Sequence, residues 1–321
     1  MRLARGITRR LPRGAFAAVT AVLFGLSGPA LGHASPVAGP DPSFGSPAIG
    51  YAYVDDNTAG ANTVAGFARH VDGSLTPLPN SPFNVGGAGT GLGIGSQGAV
   101  QVSGDGRYLL AVDAGSNQIS VAKIHEDGSL EPVEGGPVSS NGVEPVSIAV
   151  HGSLVYVANT GNGGTNYTGF TLNSGGHLRP IARSTVSEPD GSTLGDVLID
   201  PNGKHLAGTR VATSLIDSFD IGTDGRLSVA PGSPLSAQAA GPFGSAFRPA
   251  GLDQLFVSNA HAGPGNGTVS AFNVAPNGTL SAIGGSPFPD HQTAPCWVTI
   301  SPDGQYLFAT NTASDTISSY K

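Results

Sequence analysis

Six short segments rich in β-branched and aromatic residues recur along this chain at intervals close to fifty residues, the mark of one supersecondary unit repeated in space. They read VAGF (64–67), ISVA (119–122), YTGF (167–170), IDSF (216–219), VSAF (269–272) and ISSY (317–320). The first five are followed by a turn of the Asp-Gly-x-Leu kind. Its leucines, Leu75, Leu130, Leu178, Leu227 and Leu280, keep the spacing of the segments, so turn and strand share one register. A second turn, Ser-Pro-Asp-Gly in its clearest form (301–304), recurs as SGDG (103–106) and DPNG (200–203) and joins one apolar run to the next. Asp-Gly and Asn-Gly suit tight hairpins because glycine tolerates positive φ. A Pro-containing stretch, NSPF (80–83), GGPV (135–138), GSPL (232–235) and GSPF (285–288), suits an outer edge strand where no N–H is needed.

Four short antiparallel strands per period define a β-propeller blade. With strands lettered A to D from the centre outwards, the sequence supplies B, C and D for the first unit, A to D for the next four, and A, B and C for the last. The expected fold is therefore all-β, a propeller of four-stranded antiparallel blades with six repeats visible. The missing strands form one contiguous stretch, and a C-terminally incomplete seven-bladed ring is expected.

The 49 glycines and 25 prolines recur at regular intervals along the short β-branched and aromatic runs, so they punctuate a fold and do not signal disorder. Arg2, Arg5, Arg9, Arg10 and Arg13 precede an uncharged apolar run from Ala15 to Leu26, which is too short to span a bilayer and ends at Gly28-Pro29. Residues 1–34 read as a signal peptide cleaved after Ala34, and 35–321 as the propeller domain. Thr8-Arg9-Arg10-Leu11 resembles a twin-arginine signal, with Pro12 where an apolar residue is usual, so both export routes stay open. Without the leader, ten basic residues face 22 acidic ones, a formal charge of −12. That balance argues against nucleic acid and membrane as partners. A secreted or periplasmic monomer that binds a small-molecule or carbohydrate-derived ligand is expected. Cys296 is the single cysteine, so no internal disulfide forms.

SPDGQYLFATNTASDTISSY (301–320) and SLVYVANTG (153–161) resemble the lactonase family of seven-bladed propellers, which includes 6-phosphogluconolactonase-like enzymes and YVTN repeat proteins. The resemblance covers the chain after the leader. It implies metal-independent hydrolysis or formation of lactones, without cofactor, at a charged pocket in one mouth of the channel. The family's Gly-Pro-Arg-His segment aligns with Gly241-Pro242-Phe243-Gly244, its Asn-Glu with Asn259-Ala260 and its Asn-Arg with Asn311-Thr312, so three expected charges are neutral here.

In an antiparallel blade the end of strand B lies beside the start of strand A, and both border one mouth. The B-strand ends are Asp55, Asp113, Asn159, Arg210, Asn259 and Asn311; the A-strand starts include Gln97, Glu144, Asp196, Phe243 and Trp297. Arg210 is the one cation among them. It is read either as an electrophile for a lactone carbonyl, with Glu144 or Asp196 as base, or as the ion-pair partner of one of those carboxylates. Asp113, Asn159, Asn259 and Asn311 are read as ligand-binding residues or as turn caps. His261, in a Gly-rich B-to-C loop, is a candidate proton shuttle or an exposed loop residue, and Trp297 a stacking platform or a buried strand start.

Gly93-Ile94-Gly95-Ser96-Gln97-Gly98 fits a dinucleotide fingerprint, but no helix is expected after it. Asp55 to Gly66 departs from a calcium loop at Ala59 and Gly66, and no histidine pair has metal-site spacing. Three functions stay open: an extracellular lactone hydrolase, a non-catalytic binding propeller, and an inactive truncated copy.

Overall fold

The turn glycines behave as their sequence demands: Gly106, Gly203 and Gly304 take φ of 72°, 69° and 67°. Each closes an A-to-B hairpin, with Asp105 and Asp303 accepting from the hydroxyls of Ser103 and Ser301. The computed structural model describes residues 47–249 and 251–321, so the expected leader lies outside the described residues.

Blade 1 contains strand B (Ala48–Asp55), strand C (Asn62–His70) and strand D in two pieces (Leu75–Pro77, Phe83–Gly86). Blade 2 has A (Val100–Val102), B (Tyr108–Asp113), C (Gln118–Ile124) and D (Leu130–Pro132, Val138–Ser139). Blade 3 has A (Pro145–His151), B (Leu154–Asn159), C (Asn166–Leu172) and D (Leu178–Pro180, Val186–Ser187). Blade 4 has A (Leu194–Ile199), B (His205–Arg210), C (Leu215–Ile221) and D (Leu227–Val229, Leu235–Ser236). Blade 5 has A (Pro242–Phe247), B (Gln254–Asn259), C (Thr268–Val274) and D (Leu280–Ala282, Phe288–Pro289). Blade 6 has A (Pro295–Ile300), B (Leu307–Asn311) and C (Thr316–Tyr320). All neighbouring strands pair antiparallel in the order A-B-C-D, which makes this a six-bladed all-β propeller with three-stranded first and last blades. Among the described residues no helix is long and apolar enough to cross a membrane.

Strand D is broken in each of the five blades that have one, and both pieces pair with strand C. Where D bulges away, an N–H of strand C loses its main-chain acceptor, and a buried orphan donor is costly. A serine hydroxyl takes that place: Ser81, Ser184, Ser233 and Ser286 accept from the N–H groups of Gly66, Gly169, Ser218 and Ala271 at 2.9, 3.0, 2.9 and 2.7 Å. Blade 2 has Gly136 at this point and lacks the hydroxyl.

Each joint between successive blades contains one apolar cluster. Leu109 and Leu130 of blade 2 meet Tyr53 and Val64 of blade 1, and Phe170 and Leu178 of blade 3 meet Tyr108 and Leu110 of blade 2. Corresponding clusters fill joints 3/4, 4/5 and 5/6. Full burial of one such side chain contributes about 1.5–3 kcal/mol. A polar contact also recurs, in which a strand-B donor of one blade binds a main-chain carbonyl in the D turn of the next. Tyr53 donates to Gly128 at 2.7 Å, Tyr108 to Ser174 at 2.9 Å, and Tyr156 to Gly225 at 2.6 Å. In joint 4/5 His205 Nε2 meets the carbonyl of Pro276 at 3.3 Å.

Candidate functional site

The A strands of blades 3 to 6 pack successively around the centre, and the space between them is crossed by the chain itself. Ser96 Oγ donates to the Val146 carbonyl of blade 3 at 2.7 Å, while its own carbonyl accepts from the Trp297 indole of blade 6 at 2.8 Å. The Gln97 N–H donates to the Gly195 carbonyl of blade 4 at 2.9 Å. Gln97 Nε2 donates to the Ser245 carbonyl of blade 5 at 2.6 Å, and Oε1 accepts from the Val298 N–H of blade 6 at 3.0 Å. Two adjacent residues thus tie four inner strands together. The close approach requires glycine at 244, where a Cβ would stand 2.3 Å from Gln97 Oε1. Strand A of blade 2 accordingly begins at Val100 rather than at the expected Gln97, because the Gly-rich stretch before it forms this crossing.

Asp196 sits at the same crossing. Its Oδ1 accepts from Ser147 Oγ at 3.1 Å, and its Oδ2 from the Ser245 N–H at 2.8 Å and hydroxyl at 2.7 Å, with Gln97 Nε2 at 3.4 Å. Burial raises its pKa to about 7 against the pull of those donors. The carboxylate is 1% exposed, so it joins blades 3, 4 and 5 and faces no solvent.

Arg210 pairs with neither Asp196 nor Glu144, contrary to the sequence expectation. Its Nε and Nη2 bind the two Asp217 carboxylate oxygens at 2.7 and 2.5 Å, and Nη2 also forms an ion pair with Glu188. Tyr167 donates its hydroxyl to Asp217 Oδ2 at 3.0 Å. Strand C supplies Asp217 directly alongside, because the B-to-C hairpin sets Leu215 opposite Arg210. Glu188 comes from the link between blades 3 and 4. One guanidinium faces two carboxylates, and burial, then repulsion by Asp217, raises Glu188 to about 7 even though Arg210 opposes the shift. Glu144 is not among the ion-pair partners of Arg210. It stands at the positive-φ position preceding strand A, φ 54°, where Thr193, Gly241 and Ala294 stand in later blades at 54°, 70° and 55°. Its carbonyl accepts from Thr160 at 3.0 Å and its N–H donates to Asn117 Oδ1 at 2.7 Å, so the position serves as a backbone joint.

The other B-strand ends point away from the channel, onto strand C. Asp113 accepts from Ser120 Oγ at 2.7 Å and from Asn62 Nδ2 at 3.1 Å, and burial raises its pKa. Asn159 donates to Asn166 Oδ1 at 2.9 Å, Asn259 to Ser270 Oγ at 2.9 Å, and Asn311 to Ser318 Oγ at 2.9 Å. Asp113 and these three asparagines are all at 0% exposure, which seals them inside their blades. His261 is exposed beside Gly241, with its N–H on the Ala240 carbonyl at 3.1 Å. Trp297 meets Phe243 edge-to-face at 6.2 Å, and both join Val211, Ala260 and Cys296 in an apolar cluster. The three positions where the resemblance expects charges, Phe243, Ala260 and Thr312, therefore lie in or beside this apolar cluster; Thr312 Oγ1 lies 3.2 Å from Cys296 Sγ. Gly244, where the resemblance expects a histidine, stands against Gln97.

On the same face, above blade 3, a cavity of about 650 Å³ is walled by Asn141, Val143, Gly164, Asn166, Glu188 and Asp190 among others. Asp190 Oδ1 accepts from the Gly163 N–H at 2.9 Å and from Thr165 Oγ1 at 3.1 Å, which ties the Gly-rich B-to-C loop to the link between blades 3 and 4. Asn166 Nδ2 donates to the carbonyls of Asn141 and Gly164, both at 3.0 Å. The wall offers amides, hydroxyls and the acidic residues Asp190 and Glu188, and burial raises the Glu188 carboxyl to about 7. Such a group can accept and return protons at physiological pH. Among the described residues no group of three or more His, Cys, Asp or Glu could hold a metal ion.

Sequence reasoning missed Glu188, Asp217 and Tyr167. Asp217 carried a signal: it lies seven residues after Arg210, as Ser120 does after Asp113, Asn166 after Asn159 and Ser318 after Asn311. Glu188 carried none.

No protein-family profile matches the sequence, and no curated protein does. Solved structures do match. A candidate 6-phosphogluconolactonase from Bacteroides uniformis superposes with a TM-score of 0.63 at 20% identity, covering 84% of this chain and 77% of that one. A candidate 6-phosphogluconolactonase from Bacteroides fragilis gives 0.62 at 18%, covering 83% and 75%. The periplasmic gluconolactonase of Pseudomonas aeruginosa gives 0.62 at 19%, covering 83% and 77%. At such identities the likeness is one of fold, and it defines the chain as a propeller of lactonase-like architecture.

Proposed function

We propose that this chain is an exported lactonase-like propeller that hydrolyses a small hydroxylated lactone or related cyclic ester in the cavity above blade 3. The observation that carries this reading is Glu188, a residue on the wall of a polar cavity whose nearly buried carboxyl group is paired with Arg210 and raised by burial to a pKa of about 7. In its ionised form Glu188 takes a proton from water as the water oxygen bonds to the lactone carbonyl carbon. The ring C–O bond then breaks and the same proton passes to the departing alkoxide, which leaves the hydroxy acid. Arg210, clamped by Asp217, is a positioning residue that fixes the Glu188 carboxylate. The Arg-rich leader and the periplasmic neighbour support export.

Proton release from a panel of γ- and δ-lactones is the test. Turnover is expected to rise with pH through about 7 as Glu188 ionises. Glu188→Gln should lower kcat by about 10²-fold or more and leave KM nearly unchanged, since loss of a general base removes a transition-state interaction. A second reading, a non-catalytic binding propeller, is favoured by the neutral positions Phe243, Ala260 and Thr312. Thermal stabilisation by intact lactones with no proton release from any of them would select it.

A further inference from the structure

Five Asn-Gly pairs stand between the strands, at 141–142, 162–163, 202–203, 266–267 and 277–278. Such a pair is chemically labile, because a glycine nitrogen has no Cβ beside it to shield its attack on the neighbouring side-chain amide. Hydrogen bonding separates the five. Gly163 donates its N–H to Asp190 Oδ1 at 2.9 Å, Gly203 to the Asp200 carbonyl at 3.0 Å, Gly267 to the Gln292 carbonyl at 2.9 Å and Gly278 to the Ala275 carbonyl at 2.9 Å. Among the described residues the Gly142 N–H donates to no acceptor. The Asn141 side chain is exposed, and among the described residues its amide makes no hydrogen bond. Asn202 Nδ2, by contrast, is held by Asp253 Oδ1 at 3.1 Å and Asn277 Oδ1 by the Thr279 N–H at 3.3 Å. Turning the Gly142 nitrogen towards Asn141 Cγ breaks the bond from Asn166 Nδ2 to the Asn141 carbonyl, and Nδ2 then keeps the Gly164 carbonyl at 3.0 Å. The fold also demands the glycine: a Cβ at 142 would stand 2.4 Å from Cγ of the fully buried Asn159.

We propose that Asn141 is a self-modifying site, which deamidates in the folded protein ahead of the other four Asn-Gly pairs. The Gly142 nitrogen gives its proton to hydroxide and bonds to Asn141 Cγ. The bond from Cγ to Nδ2 breaks, and ammonia leaves with a proton from water. A second water opens the five-membered imide so formed. Opening at the side-chain carbonyl leaves aspartate, and opening at the main-chain carbonyl leaves isoaspartate. The balance is one water consumed and one ammonia released, with no oxidant or reductant. Either product places a new carboxylate on the wall of the cavity above blade 3, where Glu188 and Asp190 already stand. Like charge there makes the aged cavity more repellent to anions than the new one.

Peptide mass spectrometry on the full chain, sampled during incubation in mildly alkaline buffer, tests this without reference to any catalytic activity. The folded protein is expected to lose the Asn141 amide, seen as the mass shift of acid for amide together with isoaspartate at 141, while the other four pairs are still intact. Native isoelectric focusing should show one more acidic band, absent from Asn141→Gln. In urea all five pairs are expected to convert at comparable rates, which assigns the ranking to the fold. A folded chain in which Asn141 keeps its amide as long as any other of the five, an acidic band that persists in Asn141→Gln, or the same ranking in the unfolded chain would each overturn the proposal.

Discussion

Three carboxyl groups, Asp55, Glu188 and Asp196, have pKa values raised to about 7, in each case first by burial. Each therefore holds its proton more tightly in the folded chain than in the unfolded one. The stability such a group contributes is fully present below the unfolded value near 4 and is lost as pH rises through about 7. For Asp196 the loss is on the order of a few kcal/mol. Asp196→Asn removes that titration, so its melting temperature should gain on the wild type steadily between pH 4 and 8. A parallel pair of curves would show that Asp196 does not titrate in this window. At this scale the sequence was legible only in part. Arg210 stood out as the one cation among six strand ends, yet its partners depend on where a hairpin and a link between blades bring Asp217 and Glu188. The asparagines were placed at the right end of their strands, but their side chains bond to strand C, away from the channel.

Strands and turns were far more legible, because alternating apolar runs and Asp-Gly turns are local chemistry. The 22 strands counted from sequence by role are all present, with five outer strands each divided in two. The division was not readable, since it depends on a serine hydroxyl answering an N–H across the sheet. Ser286→Ala should cost about 1–2 kcal/mol by leaving the Ala271 N–H without an acceptor, measured as a lower urea midpoint at constant m-value. Blade 2 forms with Gly136 at this point, so the variant is expected to fold. The expected start of strand A in blade 2 failed for another reason: a Gly-rich stretch has no periodicity to read, and its path across the channel is set by contacts with blades 3 to 6.

For the molecule as a whole, Ser96 and Gln97 replace what a continuous ring of inner strands would otherwise leave as an open channel. Gln97→Ala removes side-chain bonds to blades 5 and 6 at once, and about 2–4 kcal/mol of stability should go with them. The loss should appear as a lower thermal midpoint with near-native circular dichroism at low temperature. The crossing also has a kinetic side. Trp297 and Val298 lie 201 residues beyond the Ser96 and Gln97 they bind, a separation that makes loop closure slow. During synthesis the blades can form one after another as each hairpin emerges. Ser96 and Gln97 then wait with their last partners unmade until blade 6 arrives, so the central dipeptide, laid down early, is locked only at the end.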